Sequence, residues 1–196
     1  PKAHYYKWFK EHGGTDDMFT VTPCGEVYSA DEICGIRNMP SELSSSAFVG
    51  DRSVNYLRNV RDREKPFFLC ASFPDPHHPF TSCYDDYERW KGHTVKEAVG
   101  GPEDLDRRPP HFKQQFQGSW SRKGIHGCKY ESGIPNEAAK ERVRHTYAMI
   151  EAIDRNVGLI LDELERQGLM DETVILLGSD HGELLGDHGL WLKGPF

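Results

Sequence analysis

Thr173-Val174-Ile175-Leu176-Leu177-Gly178-Ser179-Asp180-His181-Gly182-Glu183 is an apolar run that passes directly into a carboxylate, an imidazole and a second carboxylate. Near-continuous apolar strands of this kind lie in sheets covered on both faces. A second such run, Phe67-Phe68-Leu69-Cys70-Ala71-Ser72-Phe73, is flanked by Pro66 and Pro74, and its length and flanks also predict a buried strand. It ends in Asp75-Pro76-His77-His78-Pro79-Phe80. Sites in open α/β sheets lie beyond the carboxyl ends of strands, so if the two strands are neighbours their polar clusters meet.

The segments around these runs predict helices. Asn136 can cap a helix reaching about Gln167, with Gly168 as its left-handed stop and an apolar stripe of Val143, Tyr147, Ile150, Val157, Ile160 and Leu164. Ala47, Phe48, Val54, Leu57 and Val60 recur at helical spacing behind Ser41 or Ser44 as cap. Residues 1–40 have no clean period and read as irregular surface structure. The stretch from Thr81 to Pro135 is long and rich in Gly, Pro and His. Its aromatics Tyr84, Tyr87, Trp90, Phe112, Phe116 and Trp120 argue for an ordered region interrupted by short helices. Strands with helices on either side make an α/β protein.

With 196 residues the chain can bury a real core, although only 37% are hydrophobic and 28% charged. A net charge of -7 gives no basic footprint for nucleic acid, while leaving room for a local anion pocket. No apolar run is long enough to span a membrane. The five cysteines, Cys24, Cys34, Cys70, Cys83 and Cys128, contain no C-x-x-C pair. Cys70, within an apolar run, is expected in the core. A Cys24–Cys34 bridge is conceivable but nothing in the spacing indicates it, so the compartment stays open.

Asp180 and His181 leave one strand together and can both reach a divalent cation, although an Asp here can equally cap a turn. Lys193 can hold an anionic oxygen. His77 or His78 can donate a proton to a leaving oxygen, and spacing does not separate the two. Asp187 and His188 can form a structural pair. Together these residues indicate a metal or anion site in an α/β enzyme.

The stretch Thr173 to Phe196, with Ser179-Asp180-His181-Gly182-Glu183, Gly186-Asp187-His188-Gly189 and Trp191-Leu192-Lys193-Gly194-Pro195-Phe196, strongly resembles the sulfatase branch of the alkaline phosphatase superfamily. Tyr147 to Gly158, the Pro76-His77-His78-Pro79 segment and Met39 to Arg52 are similar to it as well. The resemblance implies a mixed, mostly parallel sheet flanked by helices, present over residues 1–196 as a single partial catalytic domain. It implies that Asp180 and His181 bind the metal, that Lys193 binds sulfate or phosphate oxygens and that His77 serves as general acid. His77 is preferred to His78 because it directly follows the motif's proline. Glu183 and His188 would be supporting residues, and the substrate a small-molecule sulfate or phosphonate ester.

The family's nucleophile is a formylglycine made from a Cys/Ser-x-Pro-x-Arg motif, and none of the five cysteines begins one; Ser72-Phe73-Pro74 fails at Pro76. The N-terminal Asp pair that supplies further metal ligands is also missing. The chain opens at Pro1 without Met and stops after a Lys-Gly-Pro turn, so it is expected to be a fragment of a longer parent. Typical arylsulfatases carry Asn at the position of His181 and hold calcium. Asp-His resembles the phosphonate monoester hydrolase and choline-sulfatase-like branches, where manganese or another transition ion fits; this counts against calcium, and the expected divalent metal is Ca2+ or Mn2+. Three expectations follow: a sulfuric ester hydrolase, a phosphonate monoester or phosphodiester hydrolase, and a non-catalytic fragment when these residues stand alone. Thr81 to Pro135 is the expected substrate wall.

Overall fold

The computed structural model describes residues 4–24, 34–116 and 136–193, except the side chains at 102, 115, 116, 136 and 138. Its longest element is a helix, Asn136–Arg166, here α5. At about 1.5 Å per residue its 31 residues span about 46 Å. The expected stop is present: Gly168 takes a φ of +68°, a left-handed conformation that suits a residue without Cβ. Asn136 opens the helix, but its side chain lies outside the described residues.

The buried face of α5 differs from the expected stripe. Val143 and Leu164 are buried, yet Ile150 is 46% exposed, while Ala148, Met149, Ala152 and Asn156 turn inward. Polar anchors set this rotation. Glu163, only 2% exposed, accepts from Arg58 and Arg166 at 2.7 and 2.5 Å. Asn156 Nδ2 donates to Ala152 O at 2.8 Å.

Helix α2, Ser45–Asn55, packs along α5 and runs on into a π turn, Tyr56–Val60. Of the two candidate caps, Ser44 is the one used: its hydroxyl accepts the Ala47 N–H at 3.0 Å. Contact between α2 and α5 is close at Gly50, where a Cβ would sit 2.3 Å from Asn156 Oδ1.

Residues before Pro40 are not merely irregular surface. Helix α1, His4–Glu11, buries Trp8 and Phe9 against Met39, Leu43 and Cys83. Trp8 Nε1 donates to Asp51 Oδ2 of α2 at 2.8 Å. The sheet has three strands, β1 Val21–Pro23, β2 Cys34–Arg37 and β3 Phe80–Cys83, in that spatial order. β1 pairs antiparallel to β2, and β2 pairs parallel to β3 in the register Cys34↔Phe80 to Arg37↔Cys83. The sheet is therefore mixed and flanked by helices. Helix α3, Tyr84–Trp90, leaves β3 at once and lies against α5. Between them Asp86, 2% exposed, accepts from Arg89 and Arg155 and from Ser41 Oγ at 2.8 Å. Short helices do interrupt the long stretch after Thr81: α3, a 3-10 turn at Pro102–Arg107, and α4, Pro110–Phe116. Trp120 and Cys128 lie outside the described residues.

The two apolar runs expected to be buried strands are a correction. Neither Phe67–Phe73 nor Thr173–Gly178 joins a ladder among the described residues. Phe68 and Leu176 are each 90% exposed, and Cys70, expected in the core, is exposed too. Along Phe67–Phe73 half-buried and exposed residues alternate strictly, the period of an extended chain with one face covered. A strand apolar on both faces needs neighbours on both, and no described residue supplies the second cover.

Candidate active site

The two polar clusters meet beyond the ends of these runs. The His77 and His181 rings stand 6.5 Å apart between centroids, and Lys193 Nζ lies 3.1 Å from His181 Nε2. Asp180 Oδ2 is 3.6 Å from the same nitrogen. Thus His77, Asp180, His181 and Lys193 share one locus, drawn from segments more than 100 residues apart.

Each histidine is oriented through its backbone. His181 Nδ1–H donates to Gly182 O at 2.8 Å, and His77 Nδ1–H donates to His78 O at 2.7 Å. With Nδ1–H so donated at His181, its Nε2 is the atom turned to Lys193 and Asp180. An imidazole with its other nitrogen hydrogen-bonded to a carbonyl is the usual arrangement of a metal ligand. His78 stacks on His77 with centroids 4.1 Å apart, and His77 lies against His181.

The turn carrying His77 is anchored by a residue the sequence reading passed over. Asp75 is 8% exposed; its Oδ2 accepts from Ser46 Oγ of α2 at 2.6 Å, and its Oδ1 faces Arg37 of β2 at 3.6 Å. Arg37 Nε also donates to Thr81 Oγ1 at 2.9 Å. Ser46 lies 29 residues before Asp75, beyond the reach of any local pattern. The only available signal was a carboxylate two positions before the histidine.

Lys193 is set by a closed loop. Glu183 Oε1 accepts the N–H groups of Leu185, at 3.3 Å, and of Leu192. Across the loop Leu184 N–H bonds Leu192 O at 3.2 Å and Gly186 N–H bonds Leu190 O at 2.8 Å. Burial is the largest influence on Glu183 and raises its carboxyl above the usual range despite those donors. The loop tip is tied to the preceding wall: Asp187 Oδ1 accepts Val99 N–H at 2.7 Å, and His188 N–H donates to Val99 O at 2.9 Å. His188 Nδ1 lies 3.2 Å from Asp104 Oδ2, and that contact holds the Asp104 carboxyl below its ordinary range. Asp187 and His188 pair with residues 99–104, so their hydrogen bonds are structural.

Among the described residues no group of three or more His, Cys, Asp or Glu side chains is arranged to hold a metal. Asp180 and His181 nonetheless suit a cation as part of a ligand set. Ligand distances of about 2.0–2.5 Å place neighbouring donors roughly 3 Å apart, close to the observed 3.6 Å. One hard oxygen and one borderline nitrogen are compatible with manganese as well as calcium.

The sulfatase family model matches residues 2–195. The chain is 33% identical over 170 residues to a choline-sulfatase of Rhizobium meliloti (strain 1021), covering 84% of this chain and 31% of that protein. It is 30% identical over 197 residues to an arylsulfatase of Clostridium perfringens (strain 13 / Type A), covering 97% of this chain and 36% of the relative. It therefore spans about a third of the length of these relatives. In fold it is similar to the phosphonate monoester hydrolase of Agrobacterium radiobacter, with a TM-score of 0.70, 22% identity, and coverage of 100% of this chain and 40% of that one. With the family model matched over nearly its whole length, this chain belongs to the sulfatase family.

Proposed function

We propose that this chain contributes the leaving-group and anion-binding side of the active site of a sulfuric ester hydrolase about three times its length. What supports the reading above all is the placement of His77 and Lys193 around His181, at 6.5 and 3.1 Å. Lys193 binds the ester's anionic oxygens, its ammonium acting as a compact charge. His77, held through Nδ1 and protonated at Nε2, delivers a proton to the departing alcohol. Asp180 and His181 would hold part of the coordination shell of a divalent cation, calcium or manganese. When bound, that cation supplies charge to stabilise the negative oxygens of the transition state. No Cys/Ser-x-Pro-x-Arg occurs in the 196 residues, so the formylglycine that acts as nucleophile, with the remaining metal ligands, comes from the rest of the parent. Alone, the chain is inactive and binds divalent ions loosely.

A second reading keeps the site and changes the ester to a phosphonate monoester or phosphodiester. Histidine at 181, within Asp180-His181, favours it. The test is turnover of an aryl sulfate beside phenyl phosphonate by the parent. Faster sulfate cleavage supports the first reading and faster phosphonate cleavage the second; loss of neither activity in Lys193→Ala would remove both.

A further inference from the structure

Away from the candidate site, Cys24, Cys34 and His145 form a cluster that ester hydrolysis does not use. Continuing the β1–β2 register, Thr22↔Ile36 and Pro23↔Gly35, places Cys24 directly opposite Cys34. Cys24 N–H donates to Cys34 O at 2.8 Å, which marks them as a hydrogen-bonded antiparallel pair. Cα atoms in such pairs lie roughly 5.5 Å apart. A disulfide spans roughly 4.4–6.8 Å, so the strands need not move for the sulfurs to join. Both are free thiols, Cys34 buried and Cys24 half-buried.

His145 of α5, with none of its surface exposed, lies 3.3 Å from Cys24 Sγ through Nε2. Its Nδ1 lies 2.7 Å from Ser82 Oγ of β3, and Tyr87 stacks on the ring at 4.5 Å with an interplanar angle of 13°. With Nδ1–H donated to Ser82, Nε2 faces the thiol as proton acceptor. A hydrogen bond from the Cys34 thiol, followed by the hydrogen bond with His145, lowers the Cys24 pKa well below the ordinary thiol range. The Cys34 thiol is pushed up, first by that same bond and then by burial. Glu141 and Arg142, on the adjoining turn of α5, act on the pair in opposite senses.

We propose that Cys24 and Cys34 are a reversible dithiol–disulfide pair that reacts with hydroperoxides, with Cys24 attacking and Cys34 resolving. The Cys24 thiolate, its proton passed to His145, attacks the terminal peroxide oxygen. The S–O bond forms as the O–O bond breaks, and Cys24 becomes a sulfenic acid while the peroxide is reduced to water or an alcohol with the proton from His145. The Cys34 sulfur then attacks Cys24 sulfur; the S–O bond breaks and hydroxide leaves with the thiol proton as water. Two thiols and one peroxide yield one disulfide and two molecules of water (or water and an alcohol). Oxidation of Cys24 also removes the bond that chiefly raised Cys34, freeing it to react. A dithiol reductant reverses the step.

The pair packs with Phe80, Val143, Trp191 and Leu192 in one apolar cluster, beside the segment immediately before Lys193. The test uses the whole 196-residue chain, treated with one equivalent of hydrogen peroxide, alkylated after denaturation and mapped by mass spectrometry. A Cys24–Cys34 bridge, lost again with dithiothreitol, is expected. Before oxidation, Cys24 should alkylate about tenfold faster than exposed Cys70 at neutral pH. Cys34→Ser should arrest at a Cys24 sulfenic acid trapped by dimedone. Absence of the bridge in the native chain, or Cys24 alkylating no faster than Cys70, would overturn the proposal without relying on any variant.

Discussion

On the proposed function Lys193 and a divalent cation would compete for one atom, because the ammonium bonds the His181 Nε2 lone pair that a metal would take. Lys193→Ala should therefore strengthen metal binding at Asp180 and His181 while weakening substrate binding. A unit charge about 4 Å from a divalent ion is worth on the order of thirtyfold in water, and manganese titration by calorimetry with and without the substitution reads it. Weaker metal binding in the variant would make the lysine a support for the site instead. At His77 the discriminating variable is the leaving group. His77→Ala in the parent should cost about 100- to 10,000-fold in kcat for an alkyl sulfate, which needs a proton on its departing oxygen. It should cost far less for 4-nitrophenyl sulfate, whose oxyanion leaves unaided; equal losses on both esters would reject the role. The candidate residues His77, Asp180 and His181 stood out in the sequence because they lie just beyond apolar runs. Asp75 did not, since its burial depends on Ser46 and Arg37 from other elements.

Helix α5 organises the elements around it, and two substitutions test how. Gly50→Ala puts a methyl group against Asn156, whose side chain is already fixed on Ala152 O. Overpacking of this kind costs about 1–3 kcal/mol, measurable as a lower urea midpoint. Glu163, bonded first by Arg166 and then by Arg58, has its pKa held far below the carboxylate norm. A depressed folded-state pKa gives stabilisation that is complete above roughly pH 5 and is lost as pH falls toward the folded value. Wild-type melting temperature should therefore fall more steeply below about pH 4 than that of Glu163→Gln, and parallel curves would exclude this carboxylate as the cause. The length of α5 and its glycine stop were readable from period and end signals. Its rotation was not: Ile150 lost its place to Ala148, Met149 and Ala152 because pairs such as Arg58–Glu163 join residues too distant for a periodicity to register. For the same reason α1 went unseen, since Trp8 and Phe9 are buried by Met39, Leu43 and Cys83.

At the scale of the molecule, the exposed apolar runs dominate behaviour in solution. Phe68, Val174, Leu176 and Leu177 are each 87–90% exposed, on segments with no ladder among the described residues. Contiguous apolar surface with unpaired backbone favours association. The isolated chain should bind a hydrophobic dye and sediment faster as concentration rises. Val174→Lys with Leu176→Lys should reduce both effects while shifting stability by no more than about 0.5 kcal/mol. Unchanged sedimentation would locate the adhesive surface elsewhere. The hydrogen bonds between Val99–Asp104 and Asp187–His188 carry a consequence for engineering. Residues 99–104 and the arm bearing the lysine are moored to one another, so exchanging the former for a relative's version transmits to the latter. Any graft there must bring a matching donor for Asp187 and acceptors for His188, or, on the proposed function, it will trade specificity for a drifting cation grip on the ester.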